Sequence, residues 1–276
     1  MPLRAVLLPT NRPALMGIIN VTPDSFSDGG VHFSTQAAID AGLRMTGEGA
    51  DLVDVGGEST RPGADEVPLD EELKRVIPVV EALASKGIEV SIDTMKPEVA
   101  RQALAAGAVV VNDVSALSHP EMPEVVAGAG CTVCLMHMQG TPRTMQQNPV
   151  YGDVVAEVRG YLVERAQFAQ SQRIRQDRIW IDPGIGFGKT VQHNLLLLKH
   201  LEVLVAAGYP VLVGVSRKSF IGRVLTPDNP LPVEDRLEGT LAAQVVAQIN
   251  GVRIIRAHDV KEARRAIDIA SAILSA

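Results

Sequence analysis

The sequence predicts an α/β protein, a single-domain (β/α)8 TIM barrel spanning residues 1–276 with its core from about 15 to 273. Three observations carry that expectation. Short β-branched runs alternate with amphipathic stretches eight times, with no break in composition between units. Runs such as Val109-Val110-Val111 and Val211-Leu212-Val213 are apolar throughout, the pattern of parallel strands buried on both faces. A chain of 276 residues also suits one barrel of about 250 residues. A doubly wound sheet is the alternative architecture, and eight evenly spaced units favour the barrel.

The first strand is expected at 15–20, followed by a polar loop and a helix at 35–47. Next come a strand at 51–57 and a helix at 69–85, stopped by Lys86-Gly87. The third unit pairs 89–94 with 97–106. Pro97 suits a first helical turn and Gly107 a C-terminal stop. The fourth strand, 109–115, precedes a short helix around 123–127, and 132–138 precedes a long helix at 154–172. Strand 179–182 leads into a helix at 194–207, strand 211–216 into 236–250, and strand 253–258 into 260–274.

Composition narrows the function. The chain is 46% hydrophobic and 21% charged, which suits a large core and excludes a disordered chain. A net charge of −6 argues against a nucleic-acid partner, since neutralising phosphates requires a basic surface. One Trp, three Tyr and five Phe give little stacking surface for single strands. No apolar run approaches the ~18 residues of a membrane span. The Val6-Leu7-Leu8 run, ended by Pro9, is too short for a secretory signal. The expectation is a cytoplasmic protein acting on small molecules. Cys131 and Cys134 form a lone C-x-x-C in an apolar, strand-like run. Residues three apart on a strand face opposite ways, so the pair reads as two free core thiols of a reducing compartment.

Barrels place their chemistry at the C-terminal ends of the strands. Here those ends carry Asn20; Asp54 to Glu58, followed by Ser59-Thr60-Arg61; Asp93; Asn112-Asp113; His137; Asp182; Ser216-Arg217-Lys218; and Arg256 with His258. A complete polar ring is hard to ascribe to strand ends that merely meet water, because polar groups near a barrel mouth need partners. Alternation puts Ser91 with Asp93, Gly214 with Ser216 and Lys218, and Ile254 with Arg256 and His258. The ring then divides by charge. Asp93, Asn112 and Asp182 suit a donor-rich heterocycle, while Arg256, His258, Lys218 and Arg61 suit an anion such as phosphate. Loops 21–34 and 58–68 follow strands and are long enough to be functional covers of the mouth.

Other motifs fail on inspection. The run from Pro183 to Thr190, PGIGFGKT, has proline where a Walker loop needs its first glycine, so its glycines are assigned to a tight strand-to-helix turn. His119, His193 and His200 read as loop or helix-surface residues. His32 and His137 could reach the site, but no spacing makes a zinc cluster.

From Leu15 to about Ile273 the chain resembles the dihydropteroate synthase family. The segment Met16-Gly17-Ile18-Ile19-Asn20-Val21-Thr22-Pro23-Asp24-Ser25-Phe26-Ser27-Asp28-Gly29-Gly30 is similar to that family's first signature, and Asp54-Val55-Gly56-Gly57-Glu58-Ser59-Thr60-Arg61-Pro62-Gly63 to its second. SIDT at 91–94, VNDVS at 111–115, LMHM at 135–138, DPGIGFGK at 182–189, GVSRKSF at 214–220 and IRAHD at 255–259 follow in order. Met138, where many relatives have Asn, is a peripheral departure.

The resemblance implies condensation of p-aminobenzoate with 6-hydroxymethyl-7,8-dihydropterin diphosphate, giving 7,8-dihydropteroate and pyrophosphate for folate biosynthesis. It implies that Asp93, Asn112, Asp182 and Lys218 hold the pterin. Arg256, His258 and Asn20 would meet the diphosphate, with Asn20 as a Mg²⁺ ligand. Ser59, Thr60, Arg61, Pro62, Phe187 and Ser219 would form the p-aminobenzoate pocket, with Gly214 and Phe26 also beside substrate. Lys218, Arg61, Asp93, Asp182, Arg256 and His258 would carry catalysis, and the assembly would be a homodimer. Departure of the diphosphate ahead of amine attack needs no strong base, so the lack of a catalytic triad is no objection. Two other readings are a pterin-dependent methyltransferase domain, which needs no diphosphate clamp, and a catalytically silent pterin-binding paralogue.

Overall fold

The computed structural model describes residues 3, 5–22, 35–60 and 63–276. Loop residues 23–34, with Phe26 and His32, and residues 61–62, with Arg61 and Pro62, lie outside the described residues.

Eight parallel strands follow the order of the chain: β1 (Ala14–Asn20), β2 (Leu52–Gly56), β3 (Val90–Asp93), β4 (Val110–Asp113), β5 (Thr132–Met136), β6 (Ile179–Asp182), β7 (Leu212–Gly214) and β8 (Ile254–Ala257). β1 pairs with both β2 and β8, and a single bridge between Ile181 and Val211 joins β6 to β7 and closes the barrel. The intervening helices are α1 (Thr35–Gly47), α2 (Leu69–Ala84), α3 (Pro97–Ala105), α4 (Met122–Ala129), α5 (Val154–Ser171), α6 (Val191–Lys199), α7 (Leu201–Val205), α8 (Ser219–Leu225), α9 (Leu237–Ile249) and α10 (Val260–Leu274). Among the described residues no helix is long and apolar enough to cross a membrane.

Strand alternation builds two cores. Outward residues such as Val53, Val55, Ile92, Val111, Val133 and Ile179 pack under the helices. Inward residues Ala14, Met16, Leu52, Val110, Cys134, Trp180, Leu212 and Ile254 fill the lower barrel. Cys131 belongs to the first core and Cys134 to the second, and both thiols are free and buried. The C-x-x-C therefore points two ways, as its spacing requires. Above the apolar floor the inward positions turn polar, and there the site begins.

Two expectations need correction. The helix expected at 194–207 is two, α6 and α7, separated at His200, whose φ of −117° and ψ of 35° lie outside helical values. The strand expected at 211–216 ends at Gly214, and the unexpected α8 follows it. Arg217 takes the left-handed φ of 56°, so extended alternation stops before Lys218. Lys218 instead stands at the position just before α8, its side chain making no capping bond.

Candidate active site

The polar layer grows directly out of the sheet register. Gly56 lies level with Asp93, and Asp93 with Asn112. A Cβ on Gly56 would make only an ordinary contact, 3.4 Å, with the Asp93 side chain. Arg256 enters from β8 opposite Gly214. Its Nε donates to Asp54 Oδ2 at 2.6 Å and its Nη2 to Asp93 Oδ2 at 2.9 Å. Asn112 Nδ2 donates to the same Asp54 oxygen at 3.0 Å. Asp54 is fully buried, and its second oxygen, Oδ1, has no partner among the described residues.

These contacts redraw the expected division by charge. Arg256, expected among the anion ligands, is also held against the acidic wall by two carboxylates. The pairing joins strands far apart in sequence, and no local pattern announces it. Burial, reinforced by the Asp54 charge and opposed by Arg256, raises the Asp93 carboxyl to about 7. Burial works against the Arg256 charge, but Asp54 and Asp93 outweigh it and its pKa moves up.

Asp182 ends β6 and turns one oxygen inward to accept the Gly184 N–H at 2.7 Å. Burial raises its pKa, against the opposing charge of Lys218. The turn that follows depends on glycine. At Gly184, with φ of 64°, a Cβ would fall 1.9 Å from the His137 carbonyl oxygen. Asn194 Oδ1 accepts the Gly186 N–H at 2.7 Å, Tyr151 donates to the Gly188 carbonyl at 2.8 Å, and Gln146 donates to the Gly186 carbonyl at 2.6 Å. Lys189, 3% exposed, donates to the Phe187 carbonyl at 2.9 Å and meets His137 Nδ1 at 2.9 Å. Burial lowers Lys189 to about 7, and burial together with the Lys189 charge lowers His137 to about 3. His137 is thus a neutral acceptor beneath the turn, and Lys189 is a structural tie that the sequence did not single out for that role.

Lys218 reaches inward from the start of α8. Its Nζ bonds to the Ile185 carbonyl and lies 4.5 Å from the centre of the Phe187 ring. Burial lowers its pKa to about 8, although Asp182 opposes that shift. Ser216 Oγ meets both the backbone nitrogen of His258, at 3.1 Å, and its Nδ1, at 3.0 Å, fixing the half-buried ring at the rim. Ser219 is exposed at the first turn of α8. Half-buried Ser59 and Thr60 follow Glu58, which pairs with Lys96. Lys96 also reaches the buried Glu72 at 2.7 Å, and Thr94 completes the cluster.

Asp93, Asn112, Asp182, Lys218 and Arg256 thus line one barrel mouth, with Gly214, Phe187 and His258 around them. Asn20 ends β1 at the same rim, level with Gly56. Reading strand ends put Asp54 in the polar ring but gave it no role in the site. Its signal was present: a charged side chain at an inward position of an otherwise apolar strand.

Such a barrel, with a carboxylate–amide wall beside lysine and arginine, defines a pterin-binding enzyme, and residues 16–258 match the family model described as "Pterin binding enzyme". The chain is 50% identical over 270 residues to dihydropteroate synthase of Escherichia coli K12, covering 98% of this chain and 94% of that one. Dihydropteroate synthase of Yersinia pestis, solved with a sulfonamide drug complex, superposes with a TM-score of 0.94 at 44% identity, covering 100% and 99% of the two chains. The Xanthomonas albilineans enzyme with 7,8-dihydropteroate gives 0.87 at 44% identity, covering 98% and 96%. The chain belongs to the dihydropteroate synthase family. It is a transferase that joins p-aminobenzoate to 6-hydroxymethyl-7,8-dihydropterin diphosphate, forming 7,8-dihydropteroate and pyrophosphate.

Proposed function

We propose that the chain, a single barrel domain over residues 1–276, performs this reaction with the following division of labour. Asp93, Asn112 and Asp182 accept the N–H donors of the pterin, and Lys218 donates to a pterin acceptor. The observation that carries the reading is their convergence: these side chains, from four βα units, line one mouth with Arg256 tied into the wall by two carboxylates. A carboxylate matches the paired N–H edge of a 2-aminopyrimidinone. Positive charge that develops on the exocyclic carbon as diphosphate leaves is favoured by Asp93 and Asp182. Arg256, His258 and Arg61 meet the departing anion. Ser59, Thr60, Pro62, Phe187, Ser219 and Phe26 bound the p-aminobenzoate, with Gly214 at the pocket floor.

The donor set fits Mg²⁺. The Asn20 side chain makes no hydrogen bond among the described residues, and its carbonyl oxygen is a hard donor at the rim. Among the described residues no group of three His, Cys, Asp or Glu could hold a metal ion. Mg²⁺ is commonly held through one or two protein oxygens plus substrate phosphates and water. Bound there by Asn20, the ion would offset charge on the leaving diphosphate.

We also assign the chain to the cytoplasm and to a homodimer formed through α9 and α10. The overall test is pyrophosphate release and dihydropteroate formation by the purified protein with both substrates and Mg²⁺. Product above background is expected, and none would overturn the reading.

A further inference from the structure

Asp54 has no substrate contact of its own in the assignment above, yet the wall is organised around it. One oxygen accepts from both Asn112 Nδ2 at 3.0 Å and Arg256 Nε at 2.6 Å, while the other is buried without a partner among the described residues. A fully buried carboxylate with an unused oxygen is a poor device for stability alone. Its chemistry does, however, settle an ambiguity. The two ends of an asparagine amide are nearly equal in shape and opposite in hydrogen bonding, and only the NH₂ end can face a carboxylate. With Nδ2 committed to Asp54, Asn112 has its oxygen left for a ligand. The same carboxylate holds the Arg256 guanidinium edge-on, so that Nη2 reaches Asp93.

We propose that Asp54 is a specificity-determining positioning residue: it sets the Asn112 amide as an acceptor toward the pterin and fixes Arg256 against Asp93. The wall then reads N–H donors on the heterocycle through Asp93, Asn112 and Asp182 together. This inference rests on the assignment of the barrel mouth to the pterin.

The geometry predicts a rescue that a merely structural role would not produce. In Asp54→Asn the partner of Asn112 becomes an amide, which accepts either end of Asn112, and the acceptor is no longer enforced. In Asn112→Asp two carboxylates face each other. In the double variant D54N/N112D, the new amide donates to the new carboxylate, whose other oxygen still accepts from the ligand. Because one Asp54 oxygen serves both partners in the parent, the amide must turn to offer its oxygen to Arg256 Nε, and that contact is the part restored least. The acceptor toward the ligand and the net charge of the pair are restored, so the rescue reads the Asn112 orientation rather than the Arg256 contact.

The test is equilibrium binding of 6-hydroxymethyl-7,8-dihydropterin by calorimetry, together with the two Michaelis constants. D54N should weaken pterin binding by about tenfold or more, in line with loss of an aligned charge-assisted network. N112D should weaken it further, and the double variant should bind about tenfold more tightly than N112D. The p-aminobenzoate KM of D54N should stay within about twofold of the parent while the pterin KM rises, a split that general loosening of the barrel would erase. D54N also removes one negative charge beside Asp93, which otherwise faces Arg256, Glu72 and Asp113. The acid limb of pterin binding should therefore move to lower pH. Pterin affinity of D54N within twofold of the parent would overturn the proposal. So would a double variant no tighter than N112D, and that comparison decides the matter if D54N alone fails to fold. A parent protein that does not bind the pterin would overturn the site assignment itself and this inference with it.

Discussion

At the scale of single residues the site is a problem of buried charge. Asp54, Asp93 and Asp182 lie within the barrel with Arg256 and Lys218, and each ion is tolerable only because the others are there. Ligand N–H groups are the natural partners of the remaining lone pairs. Asp182→Ala should remove two charge-assisted bonds of about 1.5–3 kcal/mol each, so pterin affinity measured by calorimetry should fall by about 10²-fold or more. Near-unchanged binding would make the residue merely structural. The pH dependence follows from two neighbours. Accepting pterin donors requires ionised Asp93, whose carboxyl burial and Asp54 raise to about 7. Donating from Lys218 requires its ammonium, which burial lowers to about 8. Below the first value Asp93 takes up a proton and its acceptor is lost, and above the second Lys218 gives one up and its donor is lost. Pterin affinity of the free enzyme should therefore be bell-shaped with limbs near those values. A flat profile across both would show that neither group titrates in binding.

At the scale of elements, function rests on how turns are held. Lys189 ties down the turn after β6, its Nζ joining Phe187 to His137 beneath it. Lys189→Met leaves buried carbonyls without a donor, at a cost of about 1–3 kcal/mol, and the melting temperature should fall by roughly 2–4 °C for each of those kcal/mol. Because Phe187 rides on the same turn, the KM for p-aminobenzoate should rise more than that for the pterin. A variant that melts and binds as the parent does would show the tie to be idle. These elements also show what a sequence discloses. Helices α1 (Thr35–Gly47) and α10 (Val260–Leu274) and strand β6 (Ile179–Asp182) have the expected bounds because their patterns and stops are local. The break at His200 carries no proline or glycine to announce it. Lys218 reaches the site by a different route from the one alternation suggested, because the left-handed Arg217 ends the strand geometry. The identities of Asp93, Asn112, Asp182 and Arg256 were legible at strand ends. The Arg256–Asp54 pair, 202 positions apart, was not, since only closure of the barrel makes the two neighbours.

At the scale of the whole molecule, one face of the barrel differs from the rest. Val246 and Ile249 on α9 are exposed, as are Ile269, Ile273 and Leu274 on α10, with Ile269 at 65% and Ile273 at 70%. Leu241, Val245, Ala266 and Ala270 continue the same surface between the two helices as a groove. A contiguous apolar patch of this kind marks an interaction site more often than plain surface. Glu262 and Arg265 border the groove with opposite charges. An isologous dimer needs one patch that complements itself about a twofold axis, so that an acidic residue of one copy can meet a basic residue of the other. The face has those ingredients, and a second copy of this chain is the occupant that both its apolarity and its paired charges suit. A standard interface removes about 800 Å² from each partner, within reach of two adjacent helices of this length. Ile269→Glu would place a charge at the centre of the patch, where pairing would bury it without a partner. Sedimentation should show the parent as a dimer and the variant as a monomer of unchanged helicity, because Ile269 contributes little to the barrel's own core. A variant that remains dimeric at the same concentrations would move the interface off α9 and α10, and a monomeric parent would refute the dimer itself.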